Sequence, residues 1–238
     1  MERFTEARPA VLRVGVVEAP DAGAFFVAVD AAGRPRGVTA ELGSAFAAFL
    51  GRAADHRVFP NSGECTDATA TGAVDVAFMP VDDLRREKVS FGPAYYLLES
   101  TYGVSAASGI TSLAEVDRPG VRVVGIADTT TIRASARTLR HTVPAPIRSV
   151  EAASAMLRDG EADAFALSRD SLKPILATIP GARLLDGGFQ RTGIAIAVPP
   201  GRAAALAQAT AFIEEAKASG LLRRIFDAAG LADEPVAA

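Results

Sequence analysis

TGAVDVAFMPVD at residues 71–82 and DGEADAFALSRD at residues 159–170 are two copies of one pattern. In both, a glycine is followed after two residues by an aspartate and then by a short apolar run. Gly72 and Gly160 suit the left-handed backbone conformation that ends many helices. The apolar runs have the length of buried parallel strands. The repeat therefore predicts two α/β units of similar plan.

A second pair of matching segments leads the two units. LRVGVV occupies residues 12–17 and RVVGIA occupies residues 122–127. The two units are therefore predicted to be separate lobes, each with its own sheet. Ligands of open α/β sheets bind beyond the carboxyl ends of the strands, so we expect the functional site in the cleft between the lobes.

The first lobe is expected to be discontinuous, because a strand-like run, GIAIAV, returns at 193–198 after the second unit is complete. The helices predicted after it, over about 202–218 and 221–228, would then pack on the first lobe. Two connections, near 100–106 and 187–193, would form a hinge. The expected boundaries are 1–104 plus 190–238 for the first lobe and 105–189 for the inserted second lobe.

The remaining elements follow from apolar periodicity and from turn residues. Helices are predicted over 38–50, 65–71, 83–88, 130–140 and 150–158. Strands are predicted over 11–17, 57–59, 75–79, 121–127, 146–148 and 163–167, with 89–91 and 95–102 crossing between the lobes.

Composition excludes several classes of function. The 238 residues carry a net charge of −3, and the 25 Lys and Arg are scattered, which argues against a nucleic-acid partner. No uncharged apolar run approaches the ~20 residues of a membrane helix, so we expect no direct membrane insertion. The first residues, MERFTEARPAVLRV, lack the features of a secretory signal. The protein is therefore expected to be either cytoplasmic or an exported protein whose leader is missing from this sequence.

Cysteine and histidine usage predicts neither a metal site nor a cofactor. A single cysteine, Cys65, excludes an internal disulfide and a multi-cysteine metal site. We expect it to be a small buried or half-buried residue rather than a nucleophile, since no histidine is near it in sequence. His56 heads a predicted strand, and His141 closes a predicted helix. Neither is predicted to bind a metal.

The order of several segments resembles the bacterial extracellular solute-binding proteins of family 3, the polar-amino-acid type of ABC-transporter receptor. The resemblance covers residues 11–231 and implies a two-lobe periplasmic-binding-protein type II fold, or venus flytrap. It also implies a monomeric periplasmic receptor that delivers a small molecule to an ABC permease. The segments that carry it are LRVGV, GRPRGVTAEL, GAVDVAFMPVDDLRREKVSFGPAYY, SLAEV, VVGIADTTT, DGEADAFA, TGIAIAVPPG and IEEAKASGLLRRIF.

The resemblance implies two ligand-binding residues in the first lobe. Arg85 matches the family arginine that binds the ligand's α-carboxylate, and a guanidinium offers a bidentate fork for that group. The alternative is a solvated arginine on a charged helix. Phe26, in a loop with Pro20 and Gly23, falls at the aromatic residue that covers the ligand. Packing against the first strand is its alternative role.

In the second lobe, Thr129, Thr130 and Thr131 match the family's hydroxyl-bearing loop. They begin a predicted helix, so their hydroxyls and backbone N–H groups would suit an anion. Simple capping of that helix by Thr129 is the alternative.

Two departures from the family affect the expected ligand. Ser168 stands where amino-acid binders carry the acidic residue for the α-ammonium, and Pro80 and Asp82 replace a serine and a threonine. Asp82 is close enough in sequence to pair with Arg85. We therefore expect a small organic anion, a carboxylate or an amino-acid-like compound, with no compulsory α-ammonium, although Asp82 or Glu18 could restore a cation site.

Two other functions compete with a non-catalytic receptor. An enzyme similar to cyclohexadienyl dehydratases would use the same fold, with Glu18 or Asp82 as the acid or base. The effector half of a transcription regulator also has two lobes. That reading requires a DNA-binding helix pair, and only ten residues precede the first predicted strand.

Overall fold

The computed structural model describes residues 11–18, 25–232 and 234–237. Residues 1–10 of the predicted first lobe lie outside the described part of the chain. So do Pro20 and Gly23 of the predicted loop.

The first lobe is built on five strands in the order β4-β1-β5-β11-β6. β1 runs parallel to β4 and β5, whereas β11 is antiparallel to both β5 and β6. A small hairpin of β2 and β3 lies apart from this sheet. The strands are β1 (Val11–Val17), β2 (Ala28–Val29), β3 (Pro35–Arg36), β4 (Ala53–Phe59), β5 (Val76–Pro80), β6 (Ser90–Val104) and β11 (Gln190–Val198).

The second lobe continues from β6 in the order β9-β7-β8. β7 is parallel to both of its neighbours, and β10 pairs with the end of β6. Its strands are β7 (Val123–Ile126), β8 (Ala145–Ile147), β9 (Ala164–Ser168) and β10 (Arg183–Leu184).

The expectation of two separate sheets is wrong, because β6 belongs to both lobes. This strand of 15 residues pairs with β11 as far as Ser100 and with β9 from Ser100 onward. The hydrophobic clusters nevertheless divide along it. Tyr95, Tyr96 and Leu98 pack with the first lobe, and Tyr102 packs with the second. The fold is therefore two lobes joined through a shared hinge strand.

Helices cover both faces of each lobe. The C-terminal pair packs on the first lobe as predicted, with the Phe46 and Phe212 rings 5.0 Å apart. The helices are α1 (Val38–Phe49), α2 (Ser62–Ala70), α3 (Asp83–Arg86), α4 (Leu113–Val116), α5 (Thr130–Thr138), α6 (Val150–Arg158), α7 (Arg169–Ala177), α8 (Ala203–Ala218) and α9 (Leu221–Ala228).

Most predicted elements are present. Gly72 and Gly160 adopt φ values of 74° and 73°, which confirms them as left-handed helix ends.

Two elements, β6 and α7, differ from the prediction. The crossing segment is one strand, because the pairing of β6 with β11 is irregular near Pro93 and tolerates its missing N–H. Helix α7 was not predicted, since Pro174 inside it resembles a helix breaker.

Cys65 is fully buried within α2, as predicted, and burial raises the pKa of its thiol to about 12. Within the described residues, no cluster of His, Cys, Asp and Glu side chains could hold a metal ion. No helix in that same part of the chain has both the length and the apolar character needed to cross a membrane.

Candidate functional site

A cavity of about 340 Å³ lies between the two lobes. Its walls are formed where parallel strands end and the following helices begin, as expected for an open α/β sheet. Both lobes contribute to the lining. The first lobe supplies Val17, Glu18, Phe26, Pro60, Asn61, Ser62, Pro80 and Leu98, and the second supplies Ile126, Thr129, Thr130, Thr131, Arg148, Ser149, Val150, Glu151, Leu167, Ser168 and Ser171.

Four helices, α2, α5, α6 and α7, begin at this cavity. The first N–H groups of a helix have no partner within the helix, and the helix dipole adds partial positive charge there. Asn61 and Ser149 cap two of these helices by accepting backbone hydrogen bonds. The cavity wall is therefore electrostatically suited to a negatively charged group.

The three threonines are at the start of α5. Thr129 caps the helix, because its hydroxyl accepts from the Ile132 N–H at 3.2 Å and donates to the Ile126 carbonyl at 2.8 Å. Thr130 and Thr131 are each 4% exposed, and the Thr131 hydroxyl lies 3.2 Å from that of Ser100 on the hinge strand. The start of α5 is thus tied to the hinge.

Ser168 lies at the end of β9 and lines the cavity beside the start of α7. Its hydroxyl donates to the Ser171 hydroxyl at 2.7 Å, so a neutral pair occupies the position of the family's acidic residue. The buried acid of this region is Asp170, whose carboxylate oxygens receive no hydrogen bond within the described structure. Burial raises the pKa of Asp170, although the nearby Ser168 and Ser171 act in the opposite direction.

Arg85 is not in the cavity lining. Its side chain is 4% exposed and donates to the carbonyl of Pro80, a lining residue, at 2.9 Å. The pKa of Arg85 is lowered to about 10, chiefly by burial; Asp82 acts to raise it and Arg133 acts to lower it. The structure thus places Arg85 directly beside the cavity, and its role as a ligand anchor stays a prediction.

Asp82 pairs with a residue that the sequence patterns do not indicate. One carboxylate oxygen caps α3 by accepting from the Leu84 N–H at 3.0 Å, and the other accepts from Arg133 Nη2 at 2.6 Å. Burial acts to raise the pKa of Asp82, but Arg133 and Arg85 lower it overall. Asp82 is therefore paired with Arg133, whereas the Arg85 guanidinium, bonded to the Pro80 carbonyl, interacts with that carboxylate only at longer range.

The lining also contains three charged residues, two of them acidic. Glu18 follows β1, and Arg148 and Glu151 flank the start of α6. Phe26 is half-buried, and its ring meets that of Phe25 edge to face with the centroids 5.4 Å apart. This aromatic residue both lines the cavity and packs on the core of the first lobe.

The structure thus brings five of the predicted site residues into one cavity and places Asp82 and Arg85 in an adjoining cluster. The five are Phe26, Thr129, Thr130, Thr131 and Ser168. Sequence reasoning missed the residues that follow β4 and β8. Their position directly after a parallel strand was the available signal. Arg133, one turn into α5, has no comparable signal.

Residues 13–230 match the family model of the bacterial extracellular solute-binding proteins, family 3. A search of the curated proteins finds no match to this sequence.

Solved structures share the fold at low sequence identity. A protein from Wolinella succinogenes DSM 1740 in complex with lysine superposes with a TM-score of 0.81 and 19% identity, over 93% of this chain and 96% of that one. The substrate-binding protein of an amino acid ABC transporter gives 0.78 and 23%, over 92% and 98%. An ancestral amino acid-binding protein, described as a precursor of cyclohexadienyl dehydratase, gives 0.75 and 21%, over 92% and 95%.

Proposed function

Because the chain belongs to the bacterial extracellular solute-binding proteins of family 3, we propose that it is a non-catalytic receptor for a small organic anion. Its two lobes close around the ligand, and the receptor then delivers the ligand to an ABC permease or to a sensor. The proposal implies a monomer that acts outside the cytoplasm, as the family description suggests.

The electrostatics of the cleft carry the proposal of an anionic ligand. Four helix N-termini line one cavity, and the adjoining cluster contains two guanidiniums for one carboxylate. Glu18 and Glu151 in the lining outnumber Arg148, so the positive charge that favours an anion is that of Arg85, which is 4% exposed and forms no ion pair among the described residues. A buried charge without an ionic partner is costly unless an anion lies close to it. A carboxylate in the cavity would be that anion.

The proposed roles follow from the position of each side chain. The N–H groups and hydroxyls of Thr130 and Thr131 bind the carboxylate, and Phe26 covers the ligand from the first lobe. Arg85 and Asp82 set the charge of the adjoining wall. Ser168 provides a hydroxyl where amino-acid binders of the resembled type carry an acid, so the favoured ligand has no compulsory α-ammonium.

We also propose the domain boundaries 1–104 plus 190–238 and 105–189. Two crossings between the lobes support them. β6 changes partner at Ser100, and β11 begins its pairing opposite that residue, at Gln190. Closure would then rotate the second lobe about these two adjacent crossings.

A thermal-shift screen tests the proposed function. The compounds are carboxylic acids, their primary amides, the matching α-amino acids and phosphorylated metabolites. At a hundredfold excess over Kd, a ligand should stabilise the fold by ~2.7 kcal/mol, roughly 5–10 °C for a chain of this length. We expect stabilisation by carboxylates and none by the matching amides. Stabilisation by neutral or cationic compounds alone would contradict the proposal.

The compounds that stabilise the protein in this screen also serve to distinguish a receptor from an enzyme. Each stabilising compound is incubated with the protein and followed by mass spectrometry. A receptor returns the compound unchanged. Conversion of a carboxylate hit, abolished by Glu18→Gln, would establish the dehydratase-like alternative instead.

A further inference from the structure

The shortest ion pair between the two lobes, among the described residues, joins Asp82 and Arg133. Asp82 follows β5 in the first lobe and Arg133 lies on α5 in the second, and their side chains form a 2.6 Å ion pair. The Asp82 side chain is 8% exposed and that of Arg133 is 27% exposed. This ion pair is therefore largely withdrawn from solvent and weakly screened by salt.

The two partners belong to different lobes. In the first lobe, β5 neighbours the hinge strand β11, and the N–H of Val81, the residue before Asp82, donates to the Gly193 carbonyl of β11 at 2.8 Å. In the second lobe, β7 leads into α5 and is two strands away from the hinge strand β6. Because Asp82 moves with the first lobe and Arg133 with the second, rotation of one lobe against the other would separate them.

Other polar contacts between the lobes involve the hinge strand β6. The Ser100 and Thr131 hydroxyls lie 3.2 Å apart beside it, and Arg169 of α7 pairs with Glu99 on it at 2.7 Å. Lys173 of α7 pairs at 3.4 Å with Glu234, which also accepts from the Tyr96 hydroxyl on β6. Contacts near a rotation axis change little during closure. Among these contacts, the Asp82–Arg133 pair is the one with no partner on β6.

We infer that the Asp82–Arg133 ion pair is a built-in latch that holds the two lobes closed whether or not the cavity contains a ligand. Asp82 gives Arg133 the carboxylate that a bound anion would otherwise have to provide across the cleft. The latch lowers the cost of closure, and it favours slow exchange of the ligand over rapid release. This inference does not depend on the identity of the ligand.

Distance measurements between two spin labels test the latch. Ala53→Cys and Val143→Cys place one label at the exposed outer edge of each lobe, with Val143 81% exposed. The buried Cys65 remains unlabelled. Double electron–electron resonance on the protein, refolded and dialysed to remove bound solutes, then gives the ratio of closed to open molecules.

Two single variants and their combination remove the pair. Asp82→Asn retains an oxygen that can accept from the Leu84 N–H, and Arg133→Met leaves Asp82 intact, so one variant remains informative if the other fails to fold. Asp163→Asn is the matched control, because Asp163 forms a 2.7 Å ion pair with Arg122 within the second lobe.

We expect the unmodified pair to give a predominantly closed distribution without ligand. Each single variant should lower the ratio of closed to open molecules by roughly tenfold, a typical coupling for a close charge pair. The double variant should do no more than either single one, because both remove one interaction. The control should keep the closed distribution.

Three results would overturn the latch. The first is a predominantly open distribution for the protein with the pair intact. The second is an unchanged distribution in both single variants. The third is an equal shift in Asp163→Asn, which would attribute the effect to general loss of charge.

Discussion

Arg85 gives the sharpest test of how the buried charge beside the cleft is used. Burial lowers its pKa to about 10, so keeping the charge in the folded protein costs roughly 3 kcal/mol. The folded pKa lies below the unfolded one, so this cost applies in full below about pH 10 and disappears only above the pKa of the unfolded chain. At neutral pH the fold therefore carries the whole penalty.

The hydrogen bond to the Pro80 carbonyl offsets much of that cost, since a bond from a charged donor contributes about 1.5–3 kcal/mol. Arg85→Met removes both the cost of burying the charge and the hydrogen bond to Pro80, and it leaves the side-chain volume similar. We expect the free energy of unfolding, measured in urea at pH 7, to change by less than about 1.5 kcal/mol. The affinity for the strongest carboxylate hit should fall by at least about tenfold, because charge next to the bound anion is lost.

Arg13→Met is the control for this experiment. Arg13 is in the same lobe, and its charge is paired with Asp75 near the start of β1, at the end of the strand away from the cavity. It should leave the affinity unchanged. A loss of more than about 3 kcal/mol in stability for Arg85→Met, with carboxylate affinity intact, would make Arg85 a structural residue and refute the reasoning.

Three further substitutions follow from the site. Asp170→Asn should stabilise the protein by about 1–3 kcal/mol at pH 7, and the gain should vanish near pH 4, because the raised pKa of Asp170 makes its ionisation destabilising. In the same urea measurements, Asp163→Asn should instead lower the free energy of unfolding at pH 7, because it removes a carboxylate whose pKa is lowered by Arg122. Thr131→Val should weaken carboxylate binding by about 1–2 kcal/mol in titration calorimetry, whereas Thr138→Val at the other end of α5 should not. Ser168→Asp should shift the binding preference from an α-hydroxy acid toward the matching α-amino acid. If the unmodified protein already binds the amino acid tenfold tighter, the reasoning is contradicted.

Local sequence signals account for most of the fold. The bounds of β1 and α6 agree with prediction, because an unbroken apolar strand and a serine-capped amphipathic helix are both local features. Helix α7 was missed even though Leu172, Ile175 and Leu176 form its buried face. Pro174 has no N–H to donate, so α7 loses one backbone hydrogen bond, but the helix continues because the packing of its buried face compensates.

The sheet and the site depend more on tertiary contacts. The segment that crosses between the lobes was predicted, but no local pattern reveals that β6 pairs with strands of both lobes, because its second half is defined by pairing with β9. The threonines and Ser168 were predictable from a family pattern and from the strand ends. The partner of Asp82 was not, since Arg133 is brought to it only by the packing of one lobe against the other.

The crystal structure of the complex with the strongest carboxylate hit tests the central claim most directly. We predict that the ligand's carboxylate oxygens lie about 2.7–3.1 Å from the backbone N–H groups at Thr130 and Thr131, with Phe26 over the ligand. A complex in which a neutral or cationic group occupies that position, or in which the ligand binds outside the cleft, would contradict the account.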